Sequence, residues 1–433
     1  MLQILFPVAA LCTFSVYIFQ NIKYFGPGVG LSILVLYFFL FVISLVVNFS
    51  ESLLRIGRIK YSLLITILFL TYTSLRYFAD SGFNNLAEFT VGTHTGLVLA
   101  FFIGLSLSIL VAQLFRHCSS GNNVNLLAKK LLAIFFMLTL YLSVNAFLYL
   151  YSDVSDGIFL TSSLATDYQR PGNFILMSSI LNIVLVSMLI IKGVGKSFSY
   201  FLYIQLMVNI VLSQLFGSNN ATASITILTV MYFVYSRLII EQLSGNAGFN
   251  INIYSLIFGK IAKSAIATIA KLLLIGLVLF YASFVLFDLN LPNFRILNTL
   301  DDSLGSRLQI LSNDFMVQFL HSPIFGNMDV HNITGARYPH SLVSIITHLG
   351  VTGWLFFTIL MFFIYKDIQY VDSNKICIYT NDSYSLLRLL IISVMVILVL
   401  ITSFFTWMPF WFSIGLLGVS LYCDREKERY ASQ

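Results

Sequence analysis

The sequence predicts an all-α, polytopic integral membrane protein of about twelve spanning helices, with a long outward-facing loop that contains short helices. Three observations predict it. First, only 10% of the 433 residues are charged, 58% are hydrophobic, and the mean hydropathy is +0.89. A soluble domain is about 25% charged, and no globular core hides this much apolar surface, so the solvent is lipid. Second, apolar runs close to the ~20 residues that cross a bilayer recur between polar breaks. Third, Lys and Arg are shared unevenly among those breaks.

The elements follow in order. The first run, "MLQILFPVAALCTFSVYIFQ", lacks a basic leading region and a small-residue cleavage site, and it reads as a retained first helix. With it, the expected spans are 1–20, 27–49, 61–78, 94–115, 129–151, 173–191, 198–216, 221–240, 265–287, 340–365, 385–404 and 406–422. The last two flank "FTWMPFW" and form two spans or one kinked unit. All belong to one transmembrane domain, residues 1–433.

Breaks after even-numbered spans, counted with the adjoining span ends at Lys129, Lys130, Arg237 and Arg388 and with the carboxyl-terminal tail, hold 17 Lys and Arg; breaks after odd-numbered spans hold five, and Arg76 and Lys271 are assigned to the spans themselves. Cytoplasmic loops retain basic residues, so both termini are expected in the cytoplasm. This bias also explains the pI of about 9.0. No basic stripe is interleaved with stacking aromatics, so nucleic acid is not an expected partner. Cys118, Cys377 and Cys423 then face the reducing side and Cys12 lies in lipid, so no disulfide is expected. No cysteine pair has metal spacing, and no H-E-x-x-H, D-x-D, phosphate-binding or dinucleotide-binding motif is present. No metal and no cofactor are expected.

Two outward segments are long enough to carry function, 152–172 and 288–339. In the second, Leu308, Ile310, Leu311, Phe315, Met316, Phe319 and Leu320 fall at roughly helical spacing. This predicts a short amphipathic helix on the outer surface, begun at Asp301, Asp302 or Ser303 and ended by "HSPIFG". A cytoplasmic segment, 241–264, is expected in the interface. No repeat relates the two halves, which disfavours a duplicated transporter.

Basic and His residues are few in the outward loops and most cluster around the second: Arg170 lies in the first, and Arg295, Arg307, His321, Arg337 and His340 in and beside the second. An Arg at a membrane surface pairs bidentately with phosphate, and lipid-linked substrates are commonly joined through phosphate or diphosphate. Pairing with Asp301, Asp302, Asp314 or lipid headgroups is the alternative for each Arg. "DYQRPGNF" predicts a turn at Pro171–Gly172 with Asn173 capping the next helix, holding Arg170 at the mouth of the bundle. Arg307 and His321 are 14 residues apart and cannot pair on a straight helix; His321 reads as a capping or turn residue. In "RYPHSLVSIITHLGVTGW", Pro339 pre-sets the start of a helix and His340 sits in its first turn. With an unperturbed pKa of about 6.5, His340 suits a general base. His348 is expected buried and satisfied by a neighbour, while Gly350 and Gly353 are expected to allow a close helix approach.

The pattern Ser306–Arg307, "HSPIFGN", His340–Ser341 and Gly350–Gly353 resembles the carboxyl-terminal half of the O-antigen polymerase and O-antigen ligase superfamily. "RPGNF" around Arg170 resembles that family's other outer Arg segment, and together the similarity covers about residues 160–355. The sequence departs from the pattern in two places. Eight residues rather than nine, Leu342 to Leu349, separate the His-Ser pair from the first Gly. One missing residue turns the Gly face by about 100°, which calls for a local bulge or a shifted helix start. Asn219 stands where an Arg is frequent, so that phosphate contact is missing or comes from Arg76 or Arg295. The resemblance implies an enzyme of the bacterial inner membrane with a periplasmic active site. Its substrate would be an oligosaccharide on undecaprenyl diphosphate, held among membrane lipid, and a chain-length regulator would be a further partner. His340, Arg307 and Arg170 would be catalytic, and Arg76, Arg295, Arg337 and His321 would bind substrate. Polymerase is favoured over ligase because family polymerases diverge widely; a lipid-linked oligosaccharide flippase is the alternative that is not an enzyme.

Overall fold

A computed structural model of the chain describes residues 2–23, 27–48, 60–83, 88–119, 123–154, 169–191, 197–215, 218–243, 313–336, 343–373 and 408–416. The expected spans at 265–287 and 385–404 lie outside the described residues, as does the interfacial segment from 244 onward. Among the described residues 94% are helical and none is in a strand. The helices are α1 (Leu2–Lys23), α2 (Pro27–Val47), α3 (Lys60–Phe83), α4 (Glu88–Ser119), α5 (Asn123–Val154) and α6 (Gln169–Ile191). They continue with α7 (Ser197–Leu215), α8 (Asn219–Leu243), α9 (Phe315–His321), α10 (Val330–Thr334), α11 (Val343–Ser373) and α12 (408–416). Thus a helix lies at each of the first eight expected spans, at the tenth and, over a shorter stretch, at the twelfth. Among the described residues five stretches are long and apolar enough to cross a membrane: Leu2–Phe19, Val29–Val47, Leu97–Leu114, Leu126–Leu148 and Val343–Phe363.

Side-chain exposure explains why these helices need lipid. On α2, Leu31, Val35, Phe39, Val42 and Val46 follow one another at intervals of three or four residues, and all are exposed. In water such a stripe would be a sticky patch; in a bilayer it is the outer wall. The opposite face of α2 is buried, with Tyr37 packed at 5.4 Å from the ring of Phe14. Hydroxyls within the helices return to their own backbone: Thr13 donates to the Ala9 carbonyl at 2.9 Å and Ser187 to that of Ile183 at 2.7 Å. In lipid this satisfies a polar group that water cannot reach.

The chain divides into two compact units. The first comprises Met1–Val47, Gln113–Asn298 and Cys377–Leu390. Here α1 packs against α2, α5 and α6, and α7 packs against α5, α6 and α8. Helix α6 is buried along its length from Phe174 to Ser187. Its polar residues tie the helices together. Asn209 of α7 donates to the Ser179 hydroxyl of α6 at 2.9 Å, and the Thr139 hydroxyl of α5 donates to Asn182 Oδ1 at 3.3 Å. Asn182 and Asn209 are therefore interhelical fasteners. The start of α6 corrects one expectation. The helix begins at Gln169, so Pro171 and Gly172 lie in its first turn, and Asn173 is inside the helix and not its cap. A first-turn Pro costs no hydrogen bond, and Gly172 leaves room for Ser218, whose side chain would lie 2.4 Å from an added Cβ.

The second unit comprises Asn48–Ala112, Thr299–Ile376 and Ile391–Gln433. Trp411 of α12 packs on Phe101 of α4 and Phe69 of α3, with ring centroids 5.6 and 6.4 Å away. Gly104 admits this approach, since a Cβ there would meet the Phe412 amide at 2.7 Å. Helix α11 packs against α3 and α9, and α9 against α10.

Candidate functional site

The second unit assembles its polar groups around one turn. In an apolar run of α3, Tyr72, Arg76 and Asp80 recur every four residues, so they share a face. Between α9 and α10 runs "HSPIFGN", residues 321–327. Ser322 and Gly326 close it: the Gly326 amide donates to the Ser322 carbonyl and the Ser322 hydroxyl to the Gly326 carbonyl, both at 2.9 Å. Gly326 holds a positive φ of 68°, which an L-residue adopts only under strain.

Helix α11 receives this turn. Its backbone leaves helical geometry at Gly350, with φ 66° and ψ −171°. The break frees the amides of the next two residues from their usual acceptors. Val351 donates instead to the Pro323 carbonyl at 2.9 Å and Thr352 to that of Ile324 at 3.0 Å. The Thr352 hydroxyl also reaches Ile324 O, at 2.8 Å. The Tyr72 hydroxyl lies 3.0 Å from the Phe325 carbonyl and 2.9 Å from that of Leu349, the last residue before the break. Arg76 Nη2 donates to the Gly326 carbonyl at 2.9 Å and pairs with Asp80 Oδ1 at 2.5 Å; Asp80 Oδ2 accepts from the Met328 amide at 2.9 Å. The fit is close: a Cβ on Gly350 would sit 2.3 Å from Ile324 O, and one on Gly326 would sit 2.4 Å from His348 O.

The close approach expected at Gly350 is therefore made by a turn and not by a second helix. Gly353 faces its own helix, where a Cβ would meet that of Leu349 at 2.2 Å.

His348 is buried, as expected, with Nδ1 3.0 Å from both the Ser344 carbonyl and the Thr347 hydroxyl. Its ring centroid is 5.7 Å from that of His331 on α10. Burial lowers the His331 pKa from its ordinary value, and Asp329 opposes the shift. His321 ends α9 and is exposed, which suits a turn residue. Asp314 precedes Phe315 without a side-chain cap, and the expected helix start at 301–303 lies outside the described residues.

Of the seven candidate site residues, Arg76 and His321 are described with their side chains. Arg170 falls in the first turn of α6. Arg295, Arg307, Arg337 and His340 lie outside the described residues. Among the described residues no group of three His, Cys, Asp or Glu could hold a metal ion. The sequence reading missed Tyr72, Asp80 and the break at Gly350. A signal for the first two was present, since three polar side chains four residues apart inside one apolar run are costly in lipid and so have partners.

No family model matches the chain, and no curated protein shows significant similarity to it. What fold and composition define is a class: an all-helical protein with several helices able to cross a membrane.

Proposed function

We propose that the protein is a polysaccharide polymerase that joins undecaprenyl-diphosphate-linked oligosaccharide units at the periplasmic face of the bacterial inner membrane. One observation carries the proposal. "HSPIFGN" and the Gly350–Gly353 segment are two parts of the motif set that resembles the polymerase and ligase superfamily, and here they are hydrogen-bonded to each other through Pro323, Ile324, Val351 and Thr352. Two stretches about 25 residues apart in sequence form one built element, as parts of a shared motif should.

In this mechanism Arg307 and Arg170 grip the diphosphate of the donor and stabilise the charge that develops as it leaves. His340 takes the proton from the attacking sugar hydroxyl. The glycan bond forms at the anomeric carbon, with inversion, as the bond to the diphosphate breaks. Arg295, Arg337, Arg76 and His321 are the residues that the resemblance assigns to substrate binding. Arg76 has its Nη2 committed to Asp80 and Gly326, so its first task is to fix the turn.

Polymerisation by purified protein given a synthetic lipid-linked repeat unit tests the proposal. Products longer than one repeat support it. Transfer only to lipid A–core would identify a ligase, and movement of substrate across proteoliposomes without bond formation would identify a flippase; either outcome overturns it.

A further inference from the structure

The turn at residues 322–326 is too deep to be a surface loop. It is hydrogen-bonded to Val351 and Thr352 of α11, within the apolar span Val343–Phe363. Val351 is eight residues into that span, about 12 Å from its start at 1.5 Å per residue. The hydrocarbon core is about 30 Å thick, so a contact made there lies within the apolar length of a helix long enough to cross it.

The carbonyls of the turn point the same way. Irregular backbone at membrane depth must have its polar groups satisfied by protein, because lipid offers no donors. Pro323, Ile324 and Phe325 are exposed residues, where a water-facing loop would leave its carbonyls to solvent. Here the carbonyls of residues 323, 324, 325 and 326 each have a protein donor: Val351, Thr352, Tyr72 and Arg76.

The side chains are arranged inside out relative to a soluble helix. On α9, Gln318 is fully buried while Leu320 is 66% exposed, with Met316 and Val317 also exposed. In the turn, Ile324 and Phe325 are 60% and 56% exposed. This apolar surface adjoins exposed Val351, and Leu355 lies one turn further along α11. Its continuation along a membrane-crossing helix identifies the occupant as bilayer hydrocarbon.

We infer that α9 and the turn that follows form a re-entrant element: it dips into the bilayer from the Val343 end of α11, seals the break at Gly350, and faces acyl chains with Leu320, Ile324 and Phe325. This differs from the surface-lying helix that the sequence predicts, and it holds whichever reaction the protein performs.

Depth measurement tests it without any assay of activity. Nitroxide labels are placed one at a time at Leu320→Cys, Ile324→Cys and Phe325→Cys, in a full-length chain whose Cys12, Cys118, Cys377 and Cys423 are replaced by Ser. The protein is held in nanodiscs of phosphatidylethanolamine and phosphatidylglycerol. Collision with oxygen is compared with collision with a water-soluble nickel chelate. Leu355→Cys is the lipid reference and Ser432→Cys the aqueous one. The expected oxygen-to-nickel ratio at all three positions rises to that of Leu355→Cys. A ratio equal to that of Ser432→Cys would place the turn in water and overturn the proposal. Protection from both agents would mean that protein covers the surface, and would overturn it too. All three side chains are exposed, so the labels displace no packed group; Leu320, whose carbonyl the turn does not use, carries the test if a turn variant fails to fold.

Discussion

At Gly350 two demands coincide, and they can be separated by substitution. A positive φ costs an L-residue roughly 1–2 kcal/mol, and at Gly350 and Gly326 a Cβ would also collide with backbone at 2.3 to 2.4 Å. Gly335 has the same φ of 66° with nothing within 4 Å. Gly335→Ala should therefore cost about 1 kcal/mol, whereas Gly350→Ala and Gly326→Ala should cost about 3 kcal/mol or more. Thermal unfolding in detergent checks the order; equal losses at all three would mean that the turn is not seated in the break. His331 makes a pH prediction. Burial lowers its pKa below the ordinary 6.5, so the unfolded chain takes up its proton first as pH falls. Stability should be constant above about pH 7 and decline as pH drops through 6.5. His331→Gln should flatten that decline; an unchanged pH profile would remove His331 as its source. For the proposed chemistry, His340→Ala should lower the polymerisation rate by about 10²–10⁴-fold. Arg307→Ala and Arg170→Ala should lower it by about 10²-fold or more, with Lys restoring only part because it lacks the bidentate fork. All three variants should remain in the membrane. Normal long-chain product from each would dismiss these residues from the site.

At the scale of elements, α3 and α11 hold the turn between them by different means. The α11 side is backbone to backbone and tolerates most side chains. The α3 side depends on Tyr72, Arg76 and Asp80. Tyr72→Phe removes the one hydroxyl proton that the Phe325 and Leu349 carbonyls share, and should cost about 1–2 kcal/mol. Asp80→Ala strands the Arg76 charge and the Met328 amide. The Arg76 side chain is 21% exposed and that of Asp80 9%, so this pair is not a solvated surface bridge, and its loss should cost about 2–3 kcal/mol. Unfolding temperatures of the single and double variants test this: Arg76→Ala with Asp80→Ala should destabilise less than the sum of the two. Strict additivity would show the pair to be uncoupled.

At the scale of the whole molecule, composition and topology make the prediction. Seventeen of the basic residues are assigned to one side and five to the other, which predicts both termini in the cytoplasm. A green fluorescent protein fused after Gln433 should fluoresce, and an alkaline phosphatase fused there should be inactive. The reverse pattern would invert the topology and put Arg170, Arg307 and His340 on the cytoplasmic side, away from a periplasmic substrate. The exposed apolar stripe on α2 and the buried stretch Phe174–Ser187 of α6 show the same physics within the first unit: one helix turns apolar side chains outward, and the other buries apolar residues together with the Asn and Ser that fasten it.

Much of this was legible in the residues themselves. Transfer free energy is additive along a chain, so "LSILVLYFFLFVISLVV" reads as a span before any fold is known, and the end of α9 at "HSPIFG" follows from local turn chemistry. His348 could be read as buried because it sits deep in an apolar run. The start of α6 was misread at "RPGNF" because Pro is as compatible with a first helical turn as with a loop. The break at Gly350 was hidden for a different reason: "THLGVTGW" is a good helix locally, and only the carbonyls of Pro323 and Ile324, arriving from elsewhere in the chain, make an open backbone there favourable. Hydropathy and charge asymmetry, being sums over single residues, were thus determined by the sequence alone. Which donor meets which carbonyl depends on where distant segments come to rest, and only the tertiary structure decided that Tyr72, Arg76 and Asp80 would hold the turn.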